Sequence, residues 1–385
     1  MGLAGSVLEE RLNRTNTPHW YCAKEVGDWQ TVWLSLQSAS RPDCLLDELQ
    51  IFFDNSTGRY RNQTGVEIRT VDFGGVGGIA ALDPALPQLT SVYQELIDAL
   101  VAVGYEVRKD LFGAPYDWRL AADGLAQVGY YANLTAMIEG AVASNGGTKA
   151  LLLAHSMGNL VSLAFLRSHT PAWRAQHIAA LIGLSGPWGG SVTAMKGSIS
   201  GDTFDISALP HDIFRPLQSI APSGPWLFPD ADVYGSEVLV ETTGGAQYTA
   251  ADSQRLLQDL NLTQQVAVFD RVRSTTHPLP QLDIPVHCMH GLMAGNSTEE
   301  HFLYDVDKFG AAVPPAPALV RKGKGDGTVN LKSLESCKRL GPYADVRTFQ
   351  DTTHTDILTD ARVVLAIIEI AEANRPSSPV QHHAL

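Results

Sequence analysis

The sequence predicts an α/β fold, a mostly parallel sheet with helices on both faces, interrupted by an inserted cap. Three observations lead there. Between residues 66 and 185 short apolar runs alternate with longer helical patterns, the order that a parallel sheet with crossover helices requires. One of those runs, Leu151-Leu152-Leu153-Ala154, passes directly into His155-Ser156-Met157-Gly158, and a helical pattern begins at once. From about 189 to 277 the alternation stops, and beyond 277 it resumes.

Taken in order, residues 66–73 read as a strand, 91–103 as a helix and 104–111 as a strand. A helix is expected over 122–143, a buried strand over 149–154, a helix over 158–168 and a further apolar strand over 178–184. The segment 189–277 is rich in Pro, Gly and Asp, with Trp226, Phe228 and Tyr234 scattered through it, which marks an inserted cap or lid region. Strands at 284–289, near 318–321 and at 345–350 follow, and an amphipathic helix at 357–373 closes the pattern. The expected organisation is a first core part over 1–188, the cap over 189–277, a second core part over 278–374 and a frayed tail over 375–385.

The chain of 385 residues has 28 basic and 41 acidic side chains, a formal net charge of −13, and is 44% hydrophobic. That composition excludes a disordered polymer, and the length suffices for one large core. The acidic balance, with no basic run, argues against nucleic acid as a partner, since phosphate backbones are met by clustered Lys and Arg. No apolar run approaches the roughly 18–20 residues that cross a bilayer.

Four cysteines, Cys22, Cys44, Cys288 and Cys337, allow three disulfide connectivities or four free thiols. Six sequons, at Asn13, Asn55, Asn62, Asn133, Asn261 and Asn296, exceed the about one or two that chance would give, and they favour the secretory pathway, where disulfides persist. Met1 is followed by Gly2-Leu3-Ala4-Gly5-Ser6 and not by a charged and then apolar leader, so the expectation is a chain shortened at its front.

The chemistry concentrates at Ala154-His155-Ser156-Met157-Gly158, the small-x-Ser-x-Gly form of a nucleophile elbow with Ala154 at the first small position. Small residues let the chain turn sharply, so that the Ser156 hydroxyl stands above the sheet and the Met157 N–H faces a developing oxyanion. A serine needs a base, and the base an orienting acid, in the order Ser, acid, His for a hydrolase of this kind. Asp326, between Gly325 and Gly327, is the candidate acid, and His354, between a strand and the last helix, the candidate base. The loop Gly2–Ser6 is placed to supply the second oxyanion donor, the Leu3 N–H. A metal site at His287-Cys288-Met289-His290 fits no standard zinc spacing, and Gly74–Gly78 lacks the Lys and Ser/Thr of a phosphate cradle, so neither a metal nor a cofactor is expected.

Four segments together resemble one family. Gly113-Ala-Pro-Tyr-Asp-Trp-Arg119, Ala154-His-Ser-Met-Gly-Asn159, Gly186-Pro-Trp-Gly-Gly190 and Gly325-Asp-Gly-Thr-Val-Asn-Leu-Lys-Ser333 are similar to the lecithin:cholesterol acyltransferase and lysosomal phospholipase A family, across nearly the whole chain. The resemblance implies an α/β-hydrolase fold with Ser156 as nucleophile, Asp326 as acid, His354 as base, and oxyanion donors at Leu3 and Met157. It implies that Cys22–Cys44 closes a lid loop over 22–44, that Cys288–Cys337 is a second bridge, and that Asp117 and Arg119 form a charge pair beneath the site. Trp33-Leu34-Ser35-Leu36 lies where the family carries an apolar, membrane-touching element, with core packing as the other role for it. The family has Asp or Cys where this chain has Leu3, which leaves the acyl acceptor open. It also has a strand before that loop, so the Leu3 loop is expected to be poorly anchored.

The function implied is acyl transfer from a glycerophospholipid, at a phospholipid membrane or lipoprotein-like surface, to water or a lipid alcohol, in the secretory pathway, the lysosome or vacuole, or outside the cell. The alternatives are a soluble esterase or lipase acting on neutral lipid or small esters, and a truncated, non-catalytic lipid-binding relative.

Overall fold

The computed structural model describes residues 2–83, 85–203, 212–310 and 312–375. The chain opens with β1 (Leu8–Asn13) and β2 (Glu25–Trp33), then a hairpin of β3 (Ile51–Asp54) and β4 (Arg59–Asn62), then β5 (Val66–Thr70). β5 pairs antiparallel with β1, and the order β2-β1-β5 makes a small sheet of its own. The run at 66–73 is therefore a strand, but of this sheet and not of the parallel one.

The parallel sheet contains β6 (Ala150–His155), β7 (Ile178–Leu184), β10 (Val286–Leu292) and β13 (Ala344–Gln350), in the order β13-β10-β7-β6. β7 reads Ile-Ala-Ala-Leu-Ile-Gly-Leu without alternation, as expected of a strand covered on both faces. Helices Gln94–Ala102, Tyr130–Ser144, Gly158–Arg167 and Ala361–Ala373 turn their apolar residues onto one contiguous core. The last begins at Ala361, where the Asp360 side chain caps it by accepting the Arg362 N–H.

Two local expectations fail for identifiable reasons. Residues 104–111 form a turn with one isolated bridge, Val107 to Leu111. The Glu106 carbonyl accepts from three following N–H groups and Asp110 Oδ1 accepts the Glu106 N–H at 2.6 Å, so these backbone groups are satisfied locally and not by a neighbouring strand. The helix over 122–143 is two helices, Ala122–Gln127 and Tyr130–Ser144, broken at Gly129 with φ +79°. With no strand at 104–111, β6 is the last strand of its sheet among the described residues. Beside its outer edge lies a slot of about 560 Å³, lined by Leu151, Leu153, Tyr93, Leu96, Tyr130 and Ile367 among others.

Another sheet, ordered β12-β11-β8-β9, stands apart. β8 (Val240–Thr242) and β9 (Gln247–Tyr248) come from the expected cap, whereas β11 (Thr298–Tyr304) and β12 (Leu319–Gly323) come from beyond residue 277. Phe302, Tyr304 and Phe309 share one buried cluster with Val192, Met195, Phe228 and Tyr234. The strand near 318–321 thus pairs with β11 outside the parallel sheet. Disulfides join Cys22 to Cys44 and Cys288 to Cys337, with Cα separations of 5.5 and 6.5 Å.

Beneath the Cys22–Cys44 loop lies a crowded acidic cluster. Glu10 of β1 and Glu48 of the helix Pro42–Glu48 are 2% and 6% exposed, and buried Arg14 reaches Glu48 Oε1 at 3.0 Å and Asp47 Oδ2 at 2.6 Å. Burial and the neighbouring Glu10 push Glu48 up to about 8 despite Arg14, and burial lifts Glu10 as well. A carboxyl that holds its proton more tightly when folded favours folding least where the unfolded chain has already ionised. Stability is therefore expected to fall as pH rises from near 4.5, the ordinary glutamate value, toward 8. Glu48→Gln should flatten that slope and add about 1–2 kcal/mol at pH 7.5, as read by urea unfolding at pH 5 and 7.5. An unchanged slope in the variant would assign the loss to other groups.

Candidate active site

Ser156 sits between the end of β6 and the helix Gly158–Arg167, with φ +53°, a left-handed value that a non-glycine residue adopts only where its surroundings enforce it. Its N–H is held by the Leu184 carbonyl at 2.9 Å, and the fully buried Asn159 side chain donates to the Ser156 and Leu184 carbonyls at 3.0 and 3.1 Å. The turn thus lifts the hydroxyl out of the sheet.

Three chain segments converge on it. His354 Nε2 lies 2.9 Å from Ser156 Oγ, and His354 Nδ1 lies 2.8 Å from Asp326 Oδ2. Asp326 is fully buried, and its other carboxylate oxygen accepts the N–H groups of Val329 and Thr328 at 2.8 and 3.1 Å. Burial alone would raise this carboxyl, but the His354 charge and hydrogen bond, together with those two N–H groups, outweigh it and hold it below its ordinary value. The arrangement can deprotonate a hydroxyl and stabilise the imidazolium that results.

The loop Gly2–Ser6 lies against Ser156. A Cβ on Gly2 would stand 3.1 Å from Ser156 Cβ, a tight contact, so the bare glycine backbone packs closely against the serine. Gly5 N–H closes a turn onto the Gly2 carbonyl at 3.2 Å, with Ala4 at φ +60°. Contrary to expectation this loop is well tied. Trp33 Nε1 donates to the Ala4 carbonyl at 2.7 Å, Ser6 Oγ accepts the Tyr116 N–H at 3.2 Å, and Val7 N–H reaches the Gly78 carbonyl at 3.0 Å. Among the described residues, the N–H groups of Leu3 and Met157 make no backbone hydrogen bond outside the helices and strands.

The lecithin:cholesterol acyltransferase family model matches residues 29–273, a span that includes Ser156 and ends before Asp326 and His354. The chain belongs to the lecithin:cholesterol acyltransferase family. It is 31% identical to the chicken (Gallus gallus) phosphatidylcholine-sterol acyltransferase over 340 residues, 88% of this chain and 80% of that one. To the dog (Canis lupus familiaris) lysosomal phospholipase A and acyltransferase it is 30% identical over 366 residues, 94% and 87% of the two chains. Among solved structures, the Tle4–Tli4 complex aligns with a TM-score of 0.55 over 98% of both chains at 12% identity, a likeness of fold alone. The fold is that of the α/β-hydrolases.

The remaining residues singled out for this family fall as follows. Arg119, fully buried, forks onto Asp117 through Nε to Oδ1 at 2.9 Å and Nη2 to Oδ2 at 2.6 Å, and also donates to the Leu49 carbonyl and to Asn62 Oδ1. Trp33-Leu34-Ser35-Leu36 divides in role, since Trp33 is buried with its ring 4.9 Å from that of Trp118 while Leu36 is 67% exposed. Of the six sequon asparagines, Asn13, Asn55, Asn133, Asn261 and Asn296 are exposed, and Asn62 is half-buried on Arg119. His287 pairs with Asp345 at 2.6 Å and Cys288 is in a disulfide; no cluster of three or more metal-ligating side chains occurs among the described residues. No described helix is long and apolar enough to cross a membrane. The tail 376–385 lies outside the described residues.

Sequence reasoning missed two residues. Asn159 locks the turn from inside, and His155 bonds to the His354 main chain. His155 is a variable position of the elbow pattern and Asn159 lies just beyond it, so neither is marked, because the pattern constrains only the small residues and the serine.

Proposed function

We propose that this enzyme is a serine-dependent phospholipase A and O-acyltransferase that cleaves an acyl ester of a glycerophospholipid and passes the acyl group to water or a lipid alcohol. The observation that carries this is the continuous hydrogen-bonded line Ser156–His354–Asp326, at 2.9 and 2.8 Å, in a chain of this family. His354 Nε2 takes the Oγ proton as Ser156 attacks the ester carbonyl carbon. The negative oxygen that forms is met by the Leu3 and Met157 N–H groups, each worth roughly 3–4 kcal/mol of the barrier. Collapse breaks the ester bond, and His354 returns the proton to the departing lysophospholipid oxygen. Water or an alcohol, deprotonated by His354, then attacks the acyl-Ser156 ester and regenerates the hydroxyl.

Lipid is reached through apolar surface, because a formal charge of −13 gives no general attraction to anionic membranes. Trp20, 92% exposed beside Cys22, and Leu36 within the disulfide-closed loop supply such surface. Two disulfides, five exposed sequons and a lysosomal relative favour the secretory pathway, ending in the lysosome or vacuole or outside the cell.

Phosphatidylcholine liposomes with and without a long-chain alcohol test the proposal. Lysophospholipid should appear in both, and an acyl-alcohol ester only with the acceptor. Free fatty acid alone in both would leave a hydrolase without transfer. Cleavage of short soluble esters with intact liposomes would leave a soluble esterase.

A further inference from the structure

His155 precedes the nucleophile and is 5% exposed, yet no step of the acyl transfer uses it. Its Nε2 lies 2.8 Å from the main-chain carbonyl of His354, and the two imidazole rings stand 4.9 Å apart between centroids. A carbonyl only accepts, so Nε2 carries the proton. The peptide on the other side of the His354 Cα is also tied, since His354 N–H donates to the Asp326 carbonyl at 2.8 Å. The base is therefore gripped at both main-chain polar groups, by the residue that carries the acid and by the neighbour of the nucleophile. We propose that His155 is a positioning residue that fixes His354 against Ser156 through this main-chain bond. The inference rests on Ser156, Asp326 and His354 being the triad.

Histidine suits the position for a second reason. His354 must become an imidazolium during the reaction, and a second charged ring at that distance would oppose it. Burial first, and the proximity of His354 second, hold His155 down to about 3, so it stays neutral while remaining a donor. The His155 Nδ1 edge faces the Gly2 loop, where a Gly2 Cβ would lie 3.3 Å away, so one ring touches both the base and the loop bearing Leu3.

Two substitutions of similar length separate donation from packing. His155→Gln keeps an N–H donor at the end of the side chain, and His155→Met fills the space without one. The rate of Ser156 labelling by a fluorophosphonate, with kcat and KM on phosphatidylcholine liposomes, should show the Met variant slowed about 10- to 100-fold in kcat with KM within about twofold, the scale expected when a catalytic group is displaced by a fraction of an ångström to an ångström. The Gln variant should stay within about threefold of the wild type. A Met variant as fast as wild type, or a Gln variant as slow as Met, overturns the proposal. If the Met variant does not fold, a Gln variant slowed more than about tenfold overturns it alone, and one within threefold supports it. Absence of labelling in the wild type would instead remove the triad itself.

Discussion

Ser156→Ala is expected to lower kcat on phosphatidylcholine by about 10⁴- to 10⁶-fold while leaving the fold intact. The hydroxyl lies 2.9 Å from His354 Nε2, and its loss removes the proposed nucleophile without uncovering a buried charge. His354→Ala should cost a similar factor, because a serine hydroxyl without its base is a poor nucleophile at neutral pH. The two losses should not multiply in the double variant, since the residues act as a unit. Asp326→Asn leaves the shape but reverses the demand on His354 Nδ1. The carboxylate now accepts from it, whereas an amide can present a donor and favour the wrong tautomer. A fluorophosphonate reporter, read beside circular dichroism, checks all three, and equal labelling of Ser156→Ala and wild type would show that the nucleophile lies elsewhere.

Arg119→Met should destabilise the protein by about 3–5 kcal/mol, because it strands the Asp117 carboxylate in a largely buried site. Four side-chain hydrogen bonds radiate from this guanidinium, to both Asp117 oxygens, the Leu49 carbonyl and Asn62 Oδ1. They join the segment after Tyr116 to the helix Pro42–Glu48 and the β3–β4 hairpin. Arg119→Lys should recover little, since an ammonium cannot reproduce the fork. Removing Asp117 as well should restore part of the loss, and the measurement is a double-mutant cycle in urea. A cycle that sums additively would mean that the pair is not coupled.

The parts of this molecule that were legible in sequence are those set by neighbours along the chain. The elbow from Leu151 to Gly158 announces itself through an apolar run, small residues and a following helix, and the structure has β6, a strained Ser156 and the helix Gly158–Arg167 in that order. Asp326 and His354 were identifiable because each follows a strand on a turn. Strand partnership is different. Leu319–Gly323 looks like any short strand, and only its antiparallel register with Thr298–Tyr304 draws it out of the parallel sheet. Residues 104–111 contain Val107 and Leu111 and mimic a strand, but the bond from Asp110 to the Glu106 N–H closes a turn that apolar pattern cannot reveal. His155 was invisible as a positioning group because its partner is a carbonyl 199 residues away.

The slot beside β6 bears on how this enzyme fails. Among the described residues, the strand that delivers Ser156 pairs with one neighbour only, β7, and Leu151, Leu152 and Leu153 line the slot. Edge strands separate from a sheet more readily than strands held on both sides, and local opening of this kind needs far less free energy than global unfolding. Partial unzipping of β6 would carry Ser156 away from His354 while the disulfide-tied β10 and its neighbours stayed folded. On gradual warming, the nucleophile should therefore fall silent before the molecule melts, with fluorophosphonate labelling lost several degrees below the calorimetric transition. Coincident curves would mean that the single ladder to β7 suffices.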